Sequence, residues 1–154
     1  MGVGGFGRAV GRETRREAGQ NDRVAKERDY GDRSRIEKMG VQPGFVVSVL
    51  GIKDPDFLLE LERSGADVSR RRRKGSDLVF ILAEKPSELR KLADLEQTIK
   101  RNGAIWVVSP KGRSEIRDVV VIEAAKRTGL VDNKVVRFSN THTALRLVIP
   151  LSRR

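Results

Sequence analysis

Phe45–Leu61, FVVSVLGIKDPDFLLEL, constrains the fold more than any other stretch of this chain. Phe45–Leu50 is a short, nearly continuous apolar run, the pattern of a strand buried on both faces. A single glycine, Gly51, follows it. Asp54 then supplies a helix cap, and Pro55 stands at the first helical position. Phe57, Leu58 and Leu61 give that helix its apolar face. Strands buried on both faces belong to parallel sheets with helices above and below, so this unit opens an α/β domain.

The stretches that follow repeat the theme. Gly40-Val41-Gln42-Pro43-Gly44 is the turn that leads in. Ala66–Ser69 reads as a short strand, running into Arg70-Arg71-Arg72-Arg73-Lys74. Asp77–Ala83, DLVFILA, is a second buried strand, with Phe80 in its core. A helix opens at Pro86-Ser87-Glu88 and is expected to reach Arg101, with Leu89, Leu92, Leu95 and Ile99 at helical spacing and Asn102-Gly103 as its stop. Ala104–Ser109, AIWVVS, is a third strong strand that buries Trp106. A helix is expected over Glu115–Thr128, closed by Gly129. Val131–Phe138 and Thr143–Ile149 are strands joined so briefly that they pair as an antiparallel hairpin. The order β-α-β-β-α-β-α-β-β implies a three-layer, Rossmann-type, mostly parallel sheet with a C-terminal antiparallel hairpin.

Composition bounds the rest. A chain of 154 residues suits one domain. Only 38% of it is apolar, which implies that part of the length is not packed. Residues 1–38 are the candidate arm, with ten Lys/Arg against seven Asp/Glu and no apolar stripe through Val10, Val24, Tyr30 and Ile36. Residues 39–151 form the expected domain and 152–154 a basic tail. Gly2, Gly4 and Gly7 match G-x-G-x-x-G, but that motif needs a strand before it and only Met1 precedes it. The chain has no cysteine, so disulfides, thiolate metal sites and thiol catalysis are excluded. A single histidine argues against a protein-ligated zinc. No apolar run is long enough for a membrane span and the start lacks an apolar signal core, so a cytoplasmic protein is expected. The net charge of +11 favours an anionic partner, nucleic acid or an acidic protein surface.

Several stretches between Gly40 and Ile149 carry a resemblance: GVQPGFVVSVLG with FLLEL, SDLVFILA, NGAIWVVSPKG and EAAKRTGLVDNKVVRFSNTHTALRLVIP. Together they are similar to the bacterial family known as domain of unknown function 3052. More distantly, the layout resembles class I S-adenosylmethionine-dependent methyltransferases. The resemblance implies a methyltransferase-like Rossmann fold and no established activity. Methyltransferases of that class usually carry an acid in the first strand, several glycines after it, and an acid at the end of the second strand. Ser48, the lone Gly51 and the arginines from Arg70 stand in those places. S-adenosylmethionine is therefore disfavoured and no cofactor is expected.

Topology nominates a site. In open α/β sheets ligands sit outside the carboxyl ends of the parallel strands. Lys53, Glu84, Lys111 and His142 all follow, or join, such ends. His142 can serve as an acid or base near neutral pH, and Lys53 and Lys111 can hold an anionic group. Arg70, Arg71, Arg72, Arg73 and Lys74 are the candidate anion or nucleic-acid contacts. One Trp, one Tyr and five Phe are few for base stacking. Arg146, between Leu145 and Leu147 of an expected strand, marks either an edge or a charge pair. The leading functional expectation is a non-catalytic or regulatory binding module on a degenerate methyltransferase-like fold, engaging an anionic partner. The alternatives are an S-adenosylmethionine-dependent methyltransferase with an atypical cofactor site, and a nucleic-acid-binding accessory protein.

Overall fold

The computed structural model describes residues 34–154. The glycine motif at Gly2–Gly7 and most of the arm lie outside them. The chain divides into two units, Met1–Lys38 and Met39–Arg154. In the first, a single helical turn, Arg35–Lys38, is closed by a reciprocal capping box. Ser34 Oγ accepts from the Glu37 N–H, and Glu37 Oε1 accepts from the Ser34 N–H, both at 3.2 Å. Ile36 within the turn is buried, although the arm was expected to carry no packed face.

The second unit is built on six strands. They are β1 (Val46–Leu50), β2 (Asp67–Ser69), β3 (Ser76–Leu82), β4 (Ile99–Pro110), β5 (Val131–Arg137) and β6 (His142–Val148). They form one sheet in the order β2-β1-β3-β4-β6-β5. Only β6 runs against its neighbours, pairing antiparallel with both β4 and β5. The expected hairpin is therefore present, and its returning strand is inserted between β4 and β5.

Three α-helices cover the sheet: α1 (Pro55–Arg63), α2 (Lys91–Glu96) and α3 (Asp118–Arg127). Period-two alternation along the strands makes two cores. Val79, Ile81, Ile105, Val107, Leu145 and Leu147 share one with Leu92 and Leu95 of α2 and Val121, Ala124 and Ala125 of α3. The alternate residues Phe80 and Trp106 face the other way, their rings stacked 6.5 Å apart at 7°. There α1 presses Phe57 edge-on against Phe80, with ring centroids 5.1 Å apart. The buried indole of Trp106 donates to the Met39 carbonyl at 3.2 Å, so the polar edge of the largest core residue is satisfied.

Two expectations need correction. The helix from Pro86 does not reach Arg101. A 3₁₀ turn, Pro86–Arg90, leads into α2, which ends at Glu96, and Ile99 already belongs to β4. Asn102-Gly103 is no helix stop but part of an irregularity where β4 passes the start of β3. A Cβ on Gly103 would stand 2.8 Å from the Asp77 carbonyl oxygen, so a glycine is required by the close backbone approach. Likewise the helix expected over Glu115–Thr128 is broken: Ser114–Ile116 is a 3₁₀ turn, and extended Arg117 separates it from α3. The C-terminal residues are docked. Leu151–Arg153 is a 3₁₀ turn in which Arg153 donates to the Gly129 carbonyl at 2.6 Å and reaches Glu96 Oε2 at 3.2 Å, while Arg154 Nε donates to the Ile149 carbonyl at 2.7 Å.

β2 and β3 are not neighbours, because β1 lies between them. The crossover between these parallel strands contains no helix, only residues 70–75. Six extended residues reach about 20 Å, enough to pass over one strand. That short bridge is where the arginine run sits.

Candidate functional site

The site begins at the end of β1. Gly51 turns the chain with φ +82°, a left-handed conformation that side chains resist. Ile52 is buried, and its carbonyl accepts from the Arg70 guanidinium at 2.7 Å. Asp54 Oδ1 accepts from the N–H groups of Asp56 at 3.0 Å and Phe57 at 3.1 Å. With Pro55 at the first position, the start of α1 is supplied by its own chain. Phe57 beneath it packs on Phe80 and lies 4.8 Å from the Phe138 ring. The space under the glycine turn is thus filled by side chains.

A crevice of about 280 Å³ opens above that floor. The turn after β1 contributes Ile52, Lys53 and Asp54, and the β3 end contributes Leu82 and Glu84. Val108 of β4 and Phe138, Ser139, Thr141 and His142 of the hairpin complete it. Lys53, Glu84 and His142, far apart in sequence, therefore line one wall system at the carboxyl edge of the sheet. Lys111 does not. Its backbone N–H donates to the Thr141 carbonyl at 2.9 Å, which ties the hairpin to β4, and its side chain is exposed outside the lining.

The hairpin loop is held by its own hydroxyls. Ser139 Oγ accepts from the N–H groups of Thr141 at 3.2 Å and His142 at 3.1 Å. Thr141 Oγ1 and His142 Nδ1 are 2.8 Å apart, a bond that fixes the imidazole against the loop. Arg137 donates to Asn140 Oδ1, which turns Asn140 to the adjoining strand rather than to the crevice. Sequence reasoning missed Asp54 as a wall residue, along with the apolar lining of Ile52, Leu82, Val108 and Phe138. The strand-end rule that named Lys53 and Glu84 names these as well. Among the described residues no group of three or more His, Asp or Glu side chains is placed to hold a metal ion.

The arginine run is divided. Arg73 donates to the carbonyls of Val47, at 3.2 Å, and Asp67, and its guanidinium pairs with the Asp67 carboxylate at 3.1 Å. Its N–H donates to Ser48 Oγ at 3.2 Å. Ser76 Oγ donates to the Arg73 carbonyl at 2.6 Å, which leaves Ser48 as the donor in the 2.9 Å Ser48–Ser76 bond. Ser48 and Ser76 are fully buried in this closed set, so the first strand's only polar side chain anchors the crossover. Arg73 fastens the loop to the sheet, and Arg70 fastens it to the turn after β1. Arg71, Arg72 and Lys74 are exposed.

Arg146 is half-buried on β6, in register with Trp106 on one side and Lys134 on the other. Burial, with Arg154 nearby, lowers its pKa from the ordinary arginine value. Neither an edge position nor a carboxylate partner accounts for it among the described residues.

Residues 72–151 match the profile of a family described as "Protein of unknown function (DUF3052)". The chain belongs to this family. The matched span starts inside the arginine run, so β1, α1 and with them Lys53 and Asp54 lie before it. No curated protein matches the chain. Solved structures give the fold. A SAM-dependent methyltransferase from Aquifex aeolicus is similar over 84% of this chain and 100% of its own, at 14% identity and a TM-score of 0.58. Ribosomal protein L11 methylase from Lactobacillus delbrueckii subsp. bulgaricus is similar over 74% of each chain, at 11% identity and a TM-score of 0.57. Magnesium protoporphyrin IX methyltransferase from Synechocystis PCC 6803, solved with bound SAM, is similar over 75% of each chain, at 12% identity and a TM-score of 0.50. At such identities the likeness is one of fold: this DUF3052 protein has a methyltransferase-like α/β domain. Among the described residues no helix is long and apolar enough to cross a membrane.

Proposed function

We propose that the Met39–Arg154 unit is a non-catalytic binding module on a methyltransferase-like fold, which takes a compact ligand carrying both a positive and a negative group. One observation carries this reading: Lys53 and Glu84 stand on the walls of the same crevice of about 280 Å³, over an apolar floor. Lys53 supplies a cation for an anionic group and Glu84 a carboxylate for a cationic one. His142 and Thr141 add polar contacts at the hairpin side. The volume falls at the small end of ligand pockets, which start at about 300 Å³. That favours something nearer the size of a free amino acid than of a nucleotide.

Three observations argue against S-adenosylmethionine in this crevice. Ser48 is buried and committed to Ser76 and Arg73. The N–H groups that open α1 are taken by Asp54. A guanidinium, Arg70, occupies the end of β2, where a ribose-binding acid is required. The methyltransferase alternative rests on the fold alone. The exposed Arg71, Arg72 and Lys74 support a separate contact with an acidic protein or nucleic acid, carried by charge and weakened by salt.

Calorimetry on the full chain separates these readings. Free amino acids are expected to give saturable heats that Lys53→Ala and Glu84→Ala each abolish, and S-adenosylmethionine none. Saturable micromolar binding of S-adenosylmethionine would favour the methyltransferase. Unchanged amino-acid binding in both variants would remove the crevice from the account.

A further inference from the structure

A second opening lies on the other face of the sheet, between the Pro86–Arg90 turn and α3, and shares no residue with the crevice. Its volume is about 430 Å³. Leu89 and Ala124 form its floor; both are buried members of the core cluster, at 4% and 6% exposure, so the floor is rigid. Arg90 projects from one wall. Arg127 projects from the other, on the same helical face as Ala124 three residues before it. Ser87 brings a hydroxyl to one side, while the Thr128 hydroxyl donates to the Ala125 carbonyl at 2.8 Å, and the lining contains no carboxylate.

The charge on these walls is not cancelled nearby. Several arginines of the domain are spent on protein acceptors: Arg70 on Ile52, Arg73 on Val47 and Asp67, and Arg153 on Gly129 and Glu96. Arg90 and Arg127 make no such bond among the described residues. Asp94, four residues after Arg90, and Glu123, four before Arg127, make no ion pair with them among the described residues, and Glu88, two before Arg90, is engaged elsewhere. Its Oε1 accepts from the N–H groups of Glu84 at 2.7 Å and Lys85 at 3.0 Å. That leaves two arginines lining one groove over an apolar floor, neither bonded to a protein acceptor among the described residues.

We propose that this groove is a binding site for a small organic phosphate, its phosphate held between Arg90 and Arg127 and its apolar body laid on Leu89 and Ala124. Guanidinium groups match phosphate oxygens in geometry as well as charge, and two of them exceed what a single surface cation provides. The apolar floor adds affinity that inorganic phosphate cannot use. The site goes beyond the crevice reading and stands or falls without it.

The test is a ¹H–¹⁵N titration of the full chain with phenyl phosphate, inorganic phosphate and phenol as separate probes. Phenyl phosphate is expected to shift the amides of Ser87, Leu89, Ala124 and Thr128 saturably. It should bind about tenfold more tightly than either fragment, the gain expected when one ligand uses both the charged walls and the apolar floor. Arg90→Gln and Arg127→Gln should each weaken it about tenfold, the worth of one charge-assisted contact. Arg63→Gln, an exposed arginine on α1, should leave it unchanged. Both groove arginines are exposed, and the spectrum itself reports whether each variant is folded. Shifts that do not saturate, wild-type affinity in both groove variants, or shifts centred on Arg71–Lys74 would each overturn the proposal.

Discussion

At the scale of single residues, the strand–turn–helix that opens the domain is set by Gly51 and Asp54. A Cβ at Gly51 would meet only Leu82 Cβ, at 3.8 Å, so space is not the constraint; its φ of +82° is. Gly51→Ala should therefore cost about 1–2 kcal/mol, the penalty for a side chain in the left-handed region. Asp54→Ala should cost about 1 kcal/mol by orphaning the N–H groups of Asp56 and Phe57. Both are read from the midpoint of urea unfolding, and a loss well under half of either figure would contradict the geometry described. Glu88 carries a pH signature. Its pKa is held below the usual value, chiefly by the hydrogen bond from the Glu84 backbone and against a desolvation penalty. A carboxyl with a depressed folded pKa contributes stability above its unfolded pKa, about 4.3, and loses it as pH falls through the lower folded value. Glu88→Gln, which mimics the protonated acid, should lower stability at neutral pH, converge with the parent chain as pH falls below that point, and so flatten the acid limb. An unaltered acid limb would contradict this.

At the scale of elements, the central strands were legible because Val46–Leu50 and Ser76–Leu82 are compact apolar runs closed by glycine, proline or charge. Val46–Leu50, Ser76–Leu82 and the β5–β6 hairpin appear within a residue or two of their expected bounds. The region after Leu95 was not legible. Ile99 continues the helical spacing of Leu89, Leu92 and Leu95, yet it points into the same core from a strand. Periodicity cannot distinguish those origins, and Asn102-Gly103 looks like a helix stop while serving a close strand crossing. The arginine run was legible as charge but not as structure, because it bonds to Val47, Ser48 and Ile52, residues well before it in the chain that the sequence does not place beside it. The split has a consequence. Replacing Arg73 with Ser should destabilise the domain by about 1–3 kcal/mol, the cost of unmaking charge-assisted bonds at partly buried carbonyls. The triple change Arg71→Ser, Arg72→Ser and Lys74→Ser should leave thermal stability unchanged. Equal effects would mean that the loop is not fastened as described. Arg146 belongs here too. A half-buried guanidinium costs solvation without a compensating carboxylate, so Arg146→Met should raise Tm, and a fall in Tm would show that the charge has a stabilising partner.

At the scale of the whole domain, three layers produce two openings of different character. The crevice on the α1 side mixes Lys53 with Glu84 and Asp54, and the groove on the α2–α3 side holds arginines without acids. Lys53, Glu84 and His142 were legible as one group because the topology rule needs only strand order and direction. Lys111 was misplaced because the rule locates a residue at an edge but not its side chain on a wall. The groove was not legible, since it depends on a 3₁₀ turn where sequence spacing indicated continuous helix. The central claim, a crevice for a compact ligand of both charges, has a direct reporter. His142 is the chain's only histidine, so its ring Hε1 resonance is assigned without ambiguity and lies on the crevice wall. Titrating the full chain with a free amino acid should move that resonance saturably, and acetate or methylamine alone should not do so at the same concentrations. Lys53→Ala and Glu84→Ala should each abolish the response. A resonance that stays still, or that follows acetate as readily as the amino acid, would contradict the account.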